Sequence, residues 1–262
     1  MKLSSANINV LVKTCRKASK TLIRDFGEIE NLQVSLKGPG DFVTASDKKV
    51  EKIIIEELQK ARPNYSILSE EIGEIKNDSE FKWIIDPIDG TANFLHGIPH
   101  FAISIGLEQN SEIICGIIYD PIKDEMFTAE KGNGSYLNNQ RMRVSSRSKL
   151  KDCIIFTGGP TNDSRDKELI LKEYKNFSSE ALIPIRKMGS ASLDMAYVAA
   201  GRCDGFWQRD LNYWDIAAGI ILIKESGGYV TDFSGHNEYI ENKTLIAANS
   251  KINGEMIAVL GS

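Results

Sequence analysis

The stretch WIIDPIDGTANF, Trp83–Phe94, decides how the fold of this chain is interpreted. It opens with aromatic and β-branched residues, which predict a short buried strand that ends at Asp86. Pro87 fixes its own φ and donates no backbone hydrogen bond, and Gly90 allows a sharp turn. The segment therefore predicts a strand, a tight turn and the start of a helix in quick succession.

Two aspartates, Asp86 and Asp89, lie three residues apart in this stretch and precede the backbone N–H groups of Gly90 and Thr91. Carboxylates are the ligands that Mg²⁺ prefers, and N–H groups at the start of a helix bind phosphate. The pattern can therefore hold divalent cations and a phosphate side by side. An exposed Asp-Pro-x-Asp-Gly turn without a ligand is the alternative.

Acidic residues also lie beside other apolar elements. Glu70-Glu71 comes directly after the segment YSILS, and Asp215 lies in the first turn of an apolar helix that contains WDIAAG. A solvated loop would explain the first pair, and a charge favourable to the helix dipole would explain Asp215. Their recurrence at the ends of apolar elements instead favours Mg²⁺, because hard oxygen ligands suit Mg²⁺ better than zinc.

Hydrophobic periodicity and turn residues divide the chain into two parts. Residues 1–145 combine a helix from about Asn7 to Phe26, and a second that ends at Arg62-Pro63, with strands and turns, which predicts an α+β subdomain with an antiparallel sheet. Residues 146–262 alternate strands and helices, which predicts an α/β subdomain. We therefore predict an α/β protein whose N-terminal part is α+β.

Composition narrows the class of protein. The chain has 262 residues, with 32 Lys and Arg against 36 Asp and Glu, so its net charge of −4 gives no general attraction to nucleic acid or to an anionic membrane. No apolar run approaches the roughly 20 residues of a membrane span, and the N-terminus does not look like a signal peptide. We expect a cytoplasmic protein. The four widely spaced cysteines are expected to be reduced and mostly buried.

The motifs WIIDPIDGTANF, Glu70-Glu71 and WDIAAG resemble the two signature motifs of the inositol monophosphatase family, most closely its bacterial inositol-1-monophosphatase and extragenic suppressor branch. The resemblance implies a layered αβαβα sandwich of the inositol monophosphatase and fructose bisphosphatase type. It also implies a phosphatase that depends on Mg²⁺, is sensitive to lithium and forms a homodimer. Three further segments share it: Asp41–Asp47, Gly189–Asp194 and Glu225–Gly228.

The resemblance also implies roles for individual residues. Two ions, or three if Glu70 touches another, would be bound by Glu70, Asp86, the carbonyl of Ile88, Asp89 and Asp215. Catalysis would use three residues, with Asp47 and Thr91 orienting the attacking water beside Glu70. The substrate would be contacted by Gly90, Thr91, Gly189, Ser190, Ala191, Gln208 and Asp215. A family lysine that borders the metal site corresponds only loosely to Lys37, one residue out of register.

One position departs from the family pattern. Inositol phosphatases carry a glutamate seven residues before the aspartate that corresponds to Asp215, and this chain has Gln208 there, after a strand predicted over Asp204–Trp207. Glutamine lacks the charge and adds N–H donors, which predicts modest activity on inositol monophosphate and broad specificity. The neighbouring Arg209 could bind a second anionic group or face solvent.

Two further functions remain open from the sequence. The substrate could instead be fructose bisphosphate, NADP or a 3′-phosphorylated nucleotide. The protein could also act as a regulator that binds the transcription or RNA-processing machinery, as the resemblance allows for bacterial members. A local basic stretch is by default a solvated edge, with RNA or an acidic partner as the alternative. It comprises Arg141, Arg143, Arg147, Lys149 and Lys151.

Overall fold

The protein folds into alternating layers of helices and sheets. The structure, a computed structural model, describes residues 5–28, 34–38, 41–159, 167–181 and 183–261. Within these residues the chain forms one large sheet, one smaller sheet, a separate pair of strands and seven α-helices. No helix in this part of the chain combines the length and apolar character that crossing a membrane requires.

The large sheet has eight strands, in the order β10-β9-β8-β7-β6-β5-β3-β4. Its pairs are antiparallel except for β3 and β5, which run parallel. Strand β5 is buried from Trp83 to Asp89 and lies inside the sheet, so its carboxyl end is enclosed by neighbouring elements. The strands are β3 (Ser66–Ser69), β4 (Gly73–Ile75), β5 (Phe81–Asp89), β6 (Ala102–Gln109), β7 (Glu112–Asp120), β8 (Glu125–Glu130), β9 (Gly134–Leu137) and β10 (Gln140–Arg141).

The smaller sheet has five strands, in the order β12-β11-β13-β15-β14, and mixes parallel with antiparallel pairs. Two further strands, β1 (Val34–Gly38) and β2 (Asp41–Thr44), form an antiparallel pair that belongs to neither sheet. The five strands are β11 (Ile155–Thr157), β12 (Ile185–Arg186), β13 (Gly205–Arg209), β14 (Tyr229–Thr231) and β15 (Thr244–Ala248).

Three hydrophobic cores connect the layers. Helices α1 and α2 cover one face of the large sheet, α5 and α6 fill the space between the two sheets, and α4 and α7 cover the outer face of the smaller sheet. The order is therefore αβαβα, which confirms the predicted fold class. The helices are α1 (Ala6–Gly27), α2 (Ala45–Ala61), α3 (Thr91–Leu95), α4 (Lys167–Ala181), α5 (Ala191–Ala199), α6 (Tyr213–Glu225) and α7 (Ser250–Leu260).

Helix α6 packs unusually close to the large sheet because the strands beneath it carry glycine. A Cβ added to Gly116 would lie 2.7 Å from a methyl group of Ile221 and 3.0 Å from the Cα of Ala218. One added to Gly106 would lie 3.0 Å from the Cβ of Ala217. This close contact fixes the height of α6, and with it the place of Asp215 in its first turn.

The structure corrects two expectations about strand ends. Strand β5 does not stop at Asp86 but continues to Asp89, because Pro87 lies in an irregular step where the pairing with β6 shifts and its missing N–H is tolerated. Strand β13 extends past Trp207, so Gln208 lies within the strand and not after it. The first helix agrees with its predicted range to within one residue at each end.

Candidate active site

The end of β5 forms the centre of the candidate site. Asp86 and Asp89 are 2% and 9% exposed, and the irregular step between them turns the backbone. The N–H of Ile88 donates to Oδ1 of Asp86 at 3.0 Å, so the Asp-Pro-Ile turn is closed by its own first side chain. Both aspartates are therefore buried, which excludes the alternative of an exposed Asp-Pro-x-Asp-Gly turn.

Gly90 ends this turn with a left-handed backbone conformation, φ +94°. A Cβ at this position would lie 3.1 Å from the carbonyl oxygen of His100 and 3.2 Å from that of Gly189. Residue 90 is therefore confined to glycine by both backbone angle and space. Thr91 then starts α3, and its hydroxyl donates to the carbonyl of Ile88 at 2.9 Å.

Asp89 is held from the opposite side of the site by the N-terminus of α5. Its Oδ2 accepts hydrogen bonds from the hydroxyls of Ser190 and Ser192 and from the N–H of Ser192, the last at 2.7 Å. Burial raises the pKa of Asp89, and these donors work against that rise. Ser190, predicted to contact substrate, is 2% exposed and bound to Asp89, and Ala191 is also buried. Their role toward a substrate stays a prediction.

Glu70 and Asp215 approach the same place from two other elements. Glu70 directly follows β3, where its N–H donates to the carbonyl of Ile85 at 3.3 Å, so it lies beside β5. Asp215 is the third residue of α6 and forms a capping box with Asn212, whose N–H donates to its Oδ2 at 2.7 Å. Both side chains are partly exposed.

Asp47 reaches the site from the first turn of α2 and is 2% exposed. The preceding Ser46 donates its hydroxyl to Asp25 at 2.7 Å, which ties the end of α1 to the start of α2. Burial opposes ionisation of Asp25, but hydrogen bonds from Ser46 and Arg24 and the charge of Lys49 lower its pKa below the ordinary value. The start of α2 is thus anchored by an ionised carboxylate.

The charges of these acids interact with Asp86 electrostatically. Burial, together with the charges of Glu70, Asp89, Asp215 and Asp47, raises the pKa of Asp86 well above its ordinary value. The charges of the other four predicted acids therefore all act on Asp86, and the assignment of these five side chains to one metal site stays a prediction. Such a set of like charges is stabilised by a cation among them.

The donor chemistry fits a divalent cation. Each predicted ligand offers a carboxylate or carbonyl oxygen, as Mg²⁺ prefers. Ser104, paired across from Asp86, has a buried hydroxyl without a hydrogen-bond partner among the described residues. Within those residues, however, no three His, Cys, Asp or Glu side chains form a group that could hold a metal ion. The fit therefore rests on the type, burial and mutual repulsion of the oxygens.

The residues predicted to read the alcohol part of a substrate lie at the end of β13. The amide of Gln208 occupies the space beside Gly158, where an added Cβ would lie 2.0 Å from Gln208 Oε1. Arg209 forms an ion pair with the buried Glu173, and its guanidinium lies over the ring of Phe233, 4.6 Å from the centroid. These contacts show that Arg209 does not simply face solvent, and its binding of a second anionic group stays a prediction.

Three residues that hold the site were not predicted from the sequence. Asn93 donates its side-chain amide to the carbonyls of His100 and Met188 at 2.8 and 2.9 Å, which joins the turn after β5 to the segment before α5. Ser192 binds Asp89, and Glu51 binds the segment that carries Glu70. Ser192 lies inside a motif that was recognised, so only its polarity within an apolar helix signalled a role. Asn93 likewise lies inside the motif Trp83–Phe94, whereas Glu51 gave no comparable signal.

The other sequence-based predictions have mixed outcomes. The four cysteines are free and buried, as expected. All five residues of the basic stretch are exposed, and Arg147 also pairs with the buried Asp204. Lys37 lies on β1, and its side chain falls outside what the structure describes.

Fold and site together define a layered α/β protein with an acidic, oxygen-rich centre at the end of an interior strand. The sequence model of the inositol monophosphatase family matches residues 5–260, and the chain belongs to this family. It is therefore an enzyme of the phosphatase class, and the predicted family is confirmed. Enzymes of this family use a divalent metal.

Relatives cover the chain almost completely. It is 52% identical to an inositol-1-monophosphatase of Rhizobium meliloti, over 95% of this chain and 93% of the relative. It is 39% identical to the Nus factor SuhB of Pseudomonas aeruginosa, over 93% and 92% of the two chains. Among solved structures, the extragenic suppressor protein suhB of Bartonella henselae is 50% identical, covers 98% of each chain and superposes with a TM-score of 0.94.

The confinement of Gly90 gives a testable prediction. Gly90→Ala should lower the free energy of unfolding by about 1–3 kcal/mol, because the methyl group adds a collision to backbone strain. Gly97→Ala is the matched control, since Gly97 also has positive φ, +69°, but nothing lies within 4 Å of an added Cβ. Urea unfolding compares the two variants. Equal losses would mean that space around Gly90 is not limiting.

Proposed function

We propose that the protein is a Mg²⁺-dependent phosphomonoesterase that hydrolyses inositol monophosphate and related small phosphate monoesters. The observation that carries this proposal is the buried Asp86, whose ionisation is opposed by four neighbouring acids beside the Gly90 turn. The family match and the relatives named inositol-1-monophosphatase support the substrate class. The same arrangement would let a cation and a phosphate bind on adjacent sides of one turn.

We assign the metal ligands to residues at the ends of β3 and β5 and in the first turn of α6. Two Mg²⁺ ions, or three if Glu70 holds another, would be bound by Glu70, Asp86, the carbonyl of Ile88, Asp89 and Asp215. Bound divalent ions lower the pKa of water and stabilise the leaving alkoxide. Lithium would inhibit by taking the place of one Mg²⁺. Because the charges of all four other acids act on Asp86, we propose that it contributes to both principal ions.

The chain's own residues supply orientation. The N–H groups of Gly90 and Thr91 would hold the phosphate in the turn that glycine alone can form. The Thr91 hydroxyl donates to the carbonyl of Ile88, so its oxygen is left to accept a hydrogen bond from the attacking water. Asp47, buried on α2, would accept the second hydrogen of that water, with Glu70 beside it. Phosphoryl transfer needs mainly such positioning and charge neutralisation.

The alcohol side of the substrate would meet Gly189, Ser190, Ala191, Gln208 and Asp215. Gln208 offers a neutral amide, and Arg209 is engaged by Glu173. These observations support a polyol or another neutral alcohol over a second phosphate at this place. Fructose bisphosphate, NADP and a 3′-phosphorylated nucleotide are therefore secondary candidates, which a turnover screen with Mg²⁺ would rank.

A second candidate function is regulation. The chain is similar to relatives named Nus factor SuhB, at 38–39% identity. The exposed cations Arg141, Arg143, Lys149 and Lys151 offer a surface for RNA or an acidic partner of the transcription machinery. A regulatory role should survive Asp86→Asn, whereas hydrolysis should not, so pull-down and phosphatase assays on the same variant separate the two.

We also propose the broader organisation that the sequence suggested. Residues 1–145 and 146–262 would act as two subdomains, a division supported by the large sheet using strands from residues 66–141 and the smaller sheet using strands from residues 155–248. The protein would be a cytoplasmic homodimer without membrane attachment. Sedimentation at several protein concentrations tests the dimer.

If these acids are metal ligands, replacing one of them should lower activity but raise the stability of the metal-free protein. Asp86→Asn and Asp215→Asn should each abolish most Mg²⁺-dependent turnover. Without Mg²⁺, Asp86→Asn should be more stable than wild type, because one of several repelling buried charges is gone. Saturating Mg²⁺, about 100 times its Kd, should stabilise wild type by about 2.7 kcal/mol and Asp86→Asn by much less.

Thermal unfolding with and without Mg²⁺, alongside a phosphatase assay, measures both effects. Asp78→Asn, at an exposed position, is the matched control and should behave as wild type. Near-normal turnover in Asp86→Asn would contradict the two-metal assignment.

If Asp47 and Thr91 orient the attacking water, replacing either residue should lower the rate of hydrolysis without weakening metal binding. Thr91→Ala and Asp47→Asn should lower kcat on the order of 10²–10⁴-fold. Calorimetry should show Mg²⁺ affinity that changes far less than kcat. If kcat is unchanged in both variants, Asp47 and Thr91 serve only as residues at helix starts.

Gln208 is predicted to set the preference for the alcohol. Gln208→Glu keeps the size of the side chain beside Gly158 and restores a charged acceptor, so it should raise kcat/KM for inositol 1-phosphate over glycerol 2-phosphate on the order of tenfold. Gln140→Glu, at an exposed position of β10, controls for the added charge. An unchanged ratio of kcat/KM in Gln208→Glu would show that Gln208 does not contact the alcohol.

A further inference from the structure

Glu51 is a buried carboxylate that the proposed mechanism does not use. It lies on α2 one turn after Asp47, so the two side chains share a face of that helix. Only 2% of Glu51 is exposed. A buried acidic side chain is costly unless hydrogen-bond donors surround it, so its partners indicate what it does.

The partners of Glu51 all belong to the segment that carries Glu70. Its Oε1 accepts hydrogen bonds from the hydroxyl of Ser69, from the N–H of Glu71 at 3.1 Å and from the N–H of Ile72 at 3.2 Å. Ser69 precedes Glu70 and Glu71 follows it, so one carboxylate oxygen holds the backbone on both sides of the predicted metal ligand.

This segment needs an anchor because it leaves the sheet at Glu70. Strand β3 ends at Ser69, and β4 begins only at Gly73. The side chain of Ile72 is half exposed, at 51%, so apolar packing holds that residue weakly. Hydrogen bonds to a charged acceptor are stronger than neutral ones, roughly 1.5–3 against 1 kcal/mol each.

We propose that Glu51 is a positioning residue, which fixes the backbone around Glu70 so that the Glu70 carboxylate is presented toward Asp86 for divalent-cation binding. The inference rests on the proposed function, in which Glu70 is a metal ligand. Helix α2 then sets two parts of the site at once, since it carries Asp47 itself and anchors Glu70 through Glu51. Outer partners that orient a metal ligand affect metal affinity on the order of 10–100-fold when removed.

The same helix offers a matched control. Glu57 lies later on α2, and its side chain, 9% exposed, pairs with Lys17 at 2.8 Å and Lys13 at 3.4 Å on α1. Glu57 joins α2 to α1 through these ion pairs and lies six residues along α2 from Glu51. Changing it alters the packing of α2 on α1 without touching the segment from Ser69 to Ile72.

The test compares Glu51→Ala, Glu51→Gln, Ser69→Ala and Glu57→Gln with wild type. Calorimetric titration with MgCl₂ and thermal unfolding with and without MgCl₂ are measured on the full chain. We expect Mg²⁺ affinity to fall on the order of 10–100-fold in Glu51→Ala. It should fall less in Glu51→Gln, which keeps an acceptor oxygen, and less in Ser69→Ala, which removes one of three donors. Glu57→Gln should keep wild-type affinity.

The outcomes separate the inference from the function on which it rests. If wild type binds Mg²⁺ but Glu51→Gln and Ser69→Ala bind equally well, the positioning role is wrong, even where Glu51→Ala fails to fold. If Glu57→Gln loses as much Mg²⁺ affinity as Glu51→Gln, Glu51 acts only through general stability, and the inference is again overturned. If wild type itself binds no Mg²⁺, the proposed function fails first.

Discussion

Repulsion between carboxylates at the end of β5 is the constraint that organises this molecule. Asp86 is buried, and its pKa is raised by that burial and by the charges of Glu70, Asp89, Asp215 and Asp47. A protein can keep such a set together only if donors and partial positive charges oppose the repulsion. The turn around Asp86 and the hydroxyls and N–H group offered to Asp89 answer this need.

Helix starts provide much of the compensation. Asp47 lies in the first turn of α2, Asp215 in the first turn of α6, and Asp89 accepts bonds at the start of α5, while α3 begins at Thr91. The N-terminus of a helix carries partial positive charge and unpaired N–H groups, which favour a nearby anion. Several elements with little in common in sequence therefore serve one electrostatic purpose. The glycine-lined contact of α6 with the large sheet keeps one of these helix starts in place.

Much of this arrangement could be predicted from the sequence, because acidic residues at the ends of apolar segments can be recognised in the sequence alone. Asp86, Asp89, Glu70 and Asp215 were found in that way, and the layered fold followed from the resemblance. The continuation of β5 through Pro87 could not be predicted, since only pairing with β6 shows that the lost N–H is tolerated. Glu51 resembles any charge on a helix until its three partners are seen. Hydrogen bonds between distant segments leave no local pattern.

The bonds from Ser190 and Ser192 to Asp89 also bear on how the enzyme is made. These residues lie 101 and 103 positions apart from Asp89 along the chain. A ribosome that has released only the large sheet has therefore produced an acidic turn whose stabilising donors are still unsynthesised. Contacts of such separation form late and carry a high loop-closure cost. The turn at Asp89 can receive these donors only after the start of α5 has emerged, so its stabilisation comes late in synthesis.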